Sequence, residues 1–208
     1  MYKKYIKRII DFILSLGGII CLAIPMAIIA LAIKLDSKGP VLFKQKRVGL
    51  NKTHFMIWKF RTMRTDTPKD APTHELSDPA KWITRVGGIL RKTSLDELPQ
   101  LFNILSGKMS VIGPRPALWN QYDLIEERDK YGANDVRPGL TGLAQISGRD
   151  ELEIDVKARL DGEYVEKMSL GFDVKCFLGT IKSVLKSEGV VEGGTGEMKK
   201  EAEKEESK

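Results

Sequence analysis

Residues 12–33 read FILSLGGIICLAIPMAIIALAI, 22 positions without a charge. At ~1.5 Å per residue, a helix of that length covers the ~30 Å of a bilayer's hydrocarbon. A plain transmembrane anchor is the simplest reading. Two features favour another. Pro25 sits mid-segment, where it removes a helical hydrogen bond and favours a kink. Basic residues flank both ends, with Lys3, Lys4, Lys7 and Arg8 before and Lys34, Lys38, Lys44, Lys46 and Arg47 after, so the positive-inside rule selects neither orientation. A helix that breaks at Pro25 and returns to the face it entered satisfies both flanks. A cleaved signal peptide is the third reading, from Ala30-Leu31-Ala32, but the apolar run is long for a signal core and cations follow it directly.

Outward from this segment the composition is that of one further domain. The chain has 208 residues and a formal charge of +6, which suits anionic partners such as phospholipid headgroups, nucleotides, phosphorylated lipids or nucleic acid. No nucleic-acid reading motif accompanies the basic residues. Cys21 and Cys176 lack metal-ligand spacing and call for no disulfide, which fits a reducing compartment. With two histidines, His54 and His74, a histidine metal cluster has little to draw on.

The pattern predicts an α/β domain dominated by helices, with few short strands. Tyr2, Tyr5, Ile6, Ile9 and Ile10 form an interfacial lead-in to the apolar helix. Residues 40–43 and 55–60 read as strands around a turn at Gly49-Leu50-Asn51, and 65–79 as a polar loop. Helices are expected over 82–90, 118–131, 154–167 and 172–186, with the acidic segment and then 100–105 after the first, and a loop or strand pair over 137–149. In the last helix Val174, Phe177, Leu178, Ile181, Val184 and Leu185 share one face, to be packed on the core or laid on a membrane. The division is then 1–36 lead-in and membrane helix, 37–188 catalytic domain, and 189–208 a charged, disordered tail.

Chemistry concentrates at Ser94-Leu95-Asp96-Glu97-Leu98-Pro99. Ser94-x-x-Glu97 matches a capping box, so the acids are explained if they only start a helix. Pro99 interrupts any helix beginning at Leu95, which places the pair at a junction. Arg91 and Lys92 would keep both acids ionised. An ionised carboxylate can attack phosphorus, and a second can hold Mg2+ against phosphate oxygens. Arg115, between Pro114 and Pro116, is either a rigid phosphate ligand or a solvated turn residue. Lys59 and Arg61 alternate along a strand and would share a face. Gly139, Gly142 and Gly148 would let backbone amides approach a phosphate.

These residues carry a resemblance to the bacterial sugar transferases of the small monotopic phosphoglycosyl transferase type. The motifs are Lys7-Arg8-x-x-Asp11, Gln45-Lys46-Arg47-Val48-Gly49, Trp58-Lys59-Phe60-Arg61-Thr62-Met63, and the run from Leu90 to Leu101. They continue with Gly113-Pro114-Arg115-Pro116, Arg137-Pro138-Gly139-Leu140-Thr141-Gly142 and Gln145-x-x-Gly148-Arg149. The resemblance implies transfer of a sugar 1-phosphate from a UDP-sugar to a polyprenol phosphate, such as undecaprenyl phosphate, with release of UMP. It makes Asp96 the nucleophile of a covalent phosphosugar intermediate and Glu97 its partner in holding Mg2+. Lys59, Arg61, Arg91, Arg115, Arg137, Arg149 and Asp161 make up the implied substrate-binding set. It also implies a re-entrant helix in the bacterial cytoplasmic membrane, with contact to membrane phospholipid, the catalytic domain on the cytoplasmic face, and room for a homodimer. One departure stands out: relatives often carry Ser-Pro at the helix break, whereas this chain has Ile24-Pro25, which leaves a spanning helix open. A Mg2+-dependent nucleotide-diphosphate hydrolase and a non-enzymatic anionic-lipid scaffold are the alternatives.

Overall fold

The computed structural model describes residues 1–67, 79–148 and 152–186. The expected tail, Arg149 and positions 68–78 of the expected polar loop lie outside the described residues. A π-helical turn, Tyr2–Ile6, leads into α1, Lys7–Asp36, which carries Pro25 within it. This helix is long and apolar enough to cross a membrane. The other helices are α2 (Arg85–Thr93), α3 (Gln100–Leu105), α4 (Tyr122–Asp129), α5 (Leu143–Ser147), α6 (Ile154–Lys167) and α7 (Leu170–Lys186). Strands β1 (Leu42–Val48) and β2 (His54–Phe60) form an antiparallel hairpin, and β3 (Ser110–Ile112) pairs in parallel with β4 (Gly139–Thr141). The fold is therefore helix-dominated with few short strands. The stretch expected as loop or strands over 137–149 is instead β4 followed by the single helical turn of α5.

The apolar helix does not stand apart from the body. Asp11, Ser15, Gly18, Leu22, Met26, Ile29 and Ile33 recur every three or four residues and are buried or half-buried, while Leu16, Ile20, Ile24, Ile28, Leu31 and Leu35 are exposed. Each end of the packed stripe is latched by polar groups. At the start, Asp11 accepts from Ser110 Oγ at 2.8 Å and from the Val111 amide at 2.9 Å. Arg8 donates to the carbonyls of Ile104 and Leu105, the open end of α3, and Lys7 pairs with Asp173 of α7 at 2.7 Å. At the far end, Asp36 accepts from the Val86 amide, and Ile33 packs with Phe60 and Leu90. Arg61 donates to the carbonyls of Ser37, Lys38 and Pro40 just past the helix. Both ends of α1 thus rest on the same body.

The last helix resolves the choice left by its sequence. Asp173, Cys176 and Ser183 are buried, whereas Leu170, Val174, Phe177, Leu178 and Ile181 are 44–59% exposed. The helix turns its polar and small residues inward and its apolar face outward. Inward polarity is tolerated because Asp173 is fully engaged: it accepts from Tyr2, from Tyr164 and from Lys7. An apolar row this long on a surface marks a contact with lipid or protein.

Lys7 and Asp173 are one-tenth exposed, so removing one leaves the other charge buried. Lys7→Ala should lower stability by about 3 kcal/mol, read as a reduced unfolding midpoint in detergent; an unchanged midpoint would show that this latch holds nothing.

Candidate active site

The carboxylate pair sits on a short 3-10 turn, Leu95–Glu97, between α2 and α3. Ser94 ends α2 in the left-handed region, φ 57°, and its side chain makes no capping bond. Glu97 does not reach back to Ser94 either, so the capping-box explanation fails on both partners. Pro99 serves as the N-cap of α3, where its missing N–H costs nothing. The junction is pressed on α1: Leu98 joins the cluster of Ile33, Met26, Ile29 and Ala30, and Leu101 fills the space beside Gly18.

Glu97 Oε1 receives two cations, Lys59 Nζ at 2.7 Å and Arg115 Nη2 at 2.8 Å. Burial alone would raise this carboxyl, but Arg115 and Lys59 more than offset it and hold it well below the usual carboxylate range. Asp96 is 9% exposed, and Lys59 Nζ stands 3.7 Å from its Oδ2, beyond hydrogen-bond distance. Burial pushes the Asp96 carboxyl up and Glu97 adds to this, against Lys59, Arg91 and Arg115. Two adjacent acids are therefore driven apart: one pinned and ionised, the other buried and held by no hydrogen bond from a described residue. Such a split is the usual mark of two carboxylates with different tasks.

The cation that the sequence places on a rigid turn is indeed set by the backbone. Gly113 N donates to Thr141 O at 2.8 Å and Gly139 N to Pro114 O at 2.8 Å, fixing the Gly113–Pro116 segment along β4. A Cβ on Gly139 would lie 2.1 Å from Gly113 N, and one on Gly142 would lie 2.2 Å from Gly113 O. These two glycines permit backbone contact, and the Gly139 amide is spent there rather than on a phosphate. Arg47 completes the support by donating to Pro116 O at 3.0 Å and to Gln45. That positioning role gives no sign in the sequence, because Arg47 lies 69 positions from its partner.

Of the candidate residues, Asp96, Glu97, Lys59, Arg115 and Arg91 come together. Lys92 is exposed, and Lys59 and Arg115 take the charge-balancing role expected of it. The others are engaged elsewhere. Arg61 is 4% exposed and spends its guanidinium on the carbonyls after α1, so it does not share Lys59's partner. Arg137 donates to Gly107 O beyond α3. Asp161 is wholly buried and paired with Arg128, which joins α6 to α4. Among the described residues no group of three or more His, Cys, Asp and Glu gathers around a common point.

A family model described as bacterial sugar transferase matches residues 2–187. The chain is 37% identical over 185 residues to the uncharacterized sugar transferase EpsL of Bacillus subtilis, covering 89% of this chain and 90% of that protein. It is 41% identical to the exopolysaccharide production protein PSS of Rhizobium leguminosarum bv. phaseoli, over 86% of this chain and 95% of the relative. It is also 38% identical to the UDP-glucose:undecaprenyl-phosphate glucose-1-phosphate transferase of Escherichia coli; the match takes in 86% of this chain but 40% of that longer protein. The chain belongs to the bacterial sugar transferase family.

Lys59 is the foremost of the charges that lower Asp96. Lys59→Met should therefore shift the acid limb of the pH–activity profile to higher pH, since ionised Asp96 is lost as pH falls through a pKa already raised; a limb that stays put would separate Asp96 from the essential ionisation. Asp161→Asn, by contrast, should cost about 3 kcal/mol of stability by uncoupling buried Arg128, with donor KM in the folded fraction unchanged. A raised donor KM at full stability would restore Asp161 to the substrate site.

Proposed function

We propose that this protein transfers a sugar 1-phosphate from a UDP-sugar to a polyprenol phosphate. The observation that carries the reading is the division of labour between Glu97, held ionised by two cations, and Asp96, buried and unpinned beside it. Names borne by longer relatives, such as the Escherichia coli enzyme, supply the substrate classes.

In this reading an Asp96 carboxylate oxygen attacks the β-phosphorus of the UDP-sugar. A phosphorus–oxygen bond forms as the bond to the UMP oxygen breaks, and UMP leaves with the electron pair. The acceptor's phosphate oxygen then attacks the same phosphorus and frees the Asp96 carboxylate. Desolvation favours the first step, because a buried carboxylate without close donors is a stronger nucleophile than a hydrated one. Arg115 and Lys59 neutralise charge on the diphosphate, and Arg115 sits on a turn that two backbone hydrogen bonds fix. The residues fit a magnesium ion: Mg2+ takes one or two carboxylates and completes its shell with substrate phosphates and water. Asp96 and Glu97 would hold it, where it would neutralise phosphate charge.

A bilayer location follows from the same reading. The docking of both ends of α1 on one body supports a re-entrant or surface-lying helix over a spanning one, because a single body cannot lie on both sides of a bilayer. The outward apolar face of α7 supports a second contact with the membrane surface. The catalytic domain then sits on the cytoplasmic face of a bacterial membrane, where nucleotide sugars are made.

The test is incubation of purified protein with Mg2+ and a panel of UDP-sugars, with and without polyprenol phosphate. Sustained UMP release is expected only with lipid, and Asp96→Asn should lower it by about 10^3-fold or more and abolish a sugar-phosphate adduct on the protein. UMP release at full rate without lipid would instead make the protein a hydrolase.

A further inference from the structure

The catalytic turn presents apolar side chains that neither the core nor α1 covers. Leu95, the neighbour of Asp96, is 37% exposed, and Phe102, seven residues on in α3, is 39% exposed. Between them Leu98 and Leu101 point into α1. Phe102 extends this ridge to Trp58, with ring centroids 6.1 Å apart. On β2, Met56, Trp58 and Phe60 share one face. Phe60 is covered by Ile33 of α1, while Trp58 is half-buried and Met56 is 42% exposed. The uncovered surface therefore begins where α1's cover stops.

We propose that Leu95, Phe102 and Trp58 form the bed for the isoprenoid chain of the acceptor, next to its phosphate. The inference rests on the transfer reading above and adds where the lipid lies. The ridge is continuous with the apolar helix on one side; on the other, Leu95 adjoins Asp96 and Phe102 lies on α3, which follows the Asp96–Glu97 turn, while alternation along β2 turns Trp58 to the face opposite Lys59. Lys44 stands 4.9 Å from the centroid of the Trp58 ring, adding a cation at the rim. An amphiphile with a phosphate head and an apolar tail matches that order of surfaces: cations, then aromatic and aliphatic faces, then bilayer.

The experiment compares the unaltered protein with a Leu95→Ser/Phe102→Ser double variant in detergent micelles. The acceptors are a long-chain polyprenol phosphate and a short, water-soluble isoprenyl phosphate. The double variant should raise KM for the long-chain acceptor about tenfold, the scale of one lost apolar side-chain contact. Donor KM, and the UMP burst formed with UDP-sugar before any acceptor is added, should stay at the level of the unaltered protein, which also shows that the variant folds. Phe102→Leu should retain acceptor KM. An unchanged acceptor KM in the double variant overturns the inference and assigns the ridge to bulk phospholipid. A donor KM that rises, or a burst that falls, in parallel overturns it as well. Absence of UMP release from the unaltered protein overturns the transfer reading itself.

Discussion

The seating of an apolar helix along a polar body is the constraint on which the rest of this structure depends. A stripe from Asp11 to Ile33 meets the body, and the opposite, apolar side of the helix is exposed. Apolar packing alone would not fix such a helix, since lipid tails are as good a partner as leucine. Position is set instead by polar groups that have no alternative: Lys7 on Asp173, Arg8 on the open carbonyls of α3, Asp11 on Ser110 and Val111, and Arg61 on the carbonyls beyond Asp36. Lys7, Asp11 and Arg61 would be left buried and unpaired if the helix moved, and Arg8 half-buried.

The turn that carries Asp96 and Glu97 inherits its place from that seating. Leu98 and Leu101 bind it to α1, so the acids between α2 and α3 are held beside the apolar helix rather than at the far end of the domain. The same burial that fixes Asp96 raises its pKa, and the cations that Glu97 gathers keep the second acid charged. Location and reactivity thus have one cause. The outward apolar face of α7 repeats the logic, with the polar side of the helix consumed by Tyr2, Lys7 and Tyr164 so that the apolar side faces outward.

Much of this was legible in the chain. Residues 12–33 announce a long apolar helix by length and lack of charge, and the hairpin is written in Phe55 to Phe60 and the turn before it. The acids and their family motifs point to the site, and Lys59, Arg91 and Arg115 are brought to it. Arg61 and Arg137, from the same motifs, and Asp161, from the implied substrate-binding set, are engaged with the scaffold, because a motif records that a charge is needed and not whether substrate or protein needs it. The turn of α5 escaped because five residues are too few to show a helical period.

The sequence by itself determined which segments are apolar, where the backbone must turn, and which charges stand near one another along the chain, because these depend on local composition and spacing. Only the tertiary structure decided that Ser94-x-x-Glu97 is not a capping box, that α7 wears its apolar face outward, and that Glu97 rather than Asp96 takes the close, hydrogen-bonded ion pairs. Each of those outcomes depends on partners such as Arg115, Lys59, Lys7 and Tyr2, 18 to 171 positions away, and a contact between distant residues leaves no period for one chain to display.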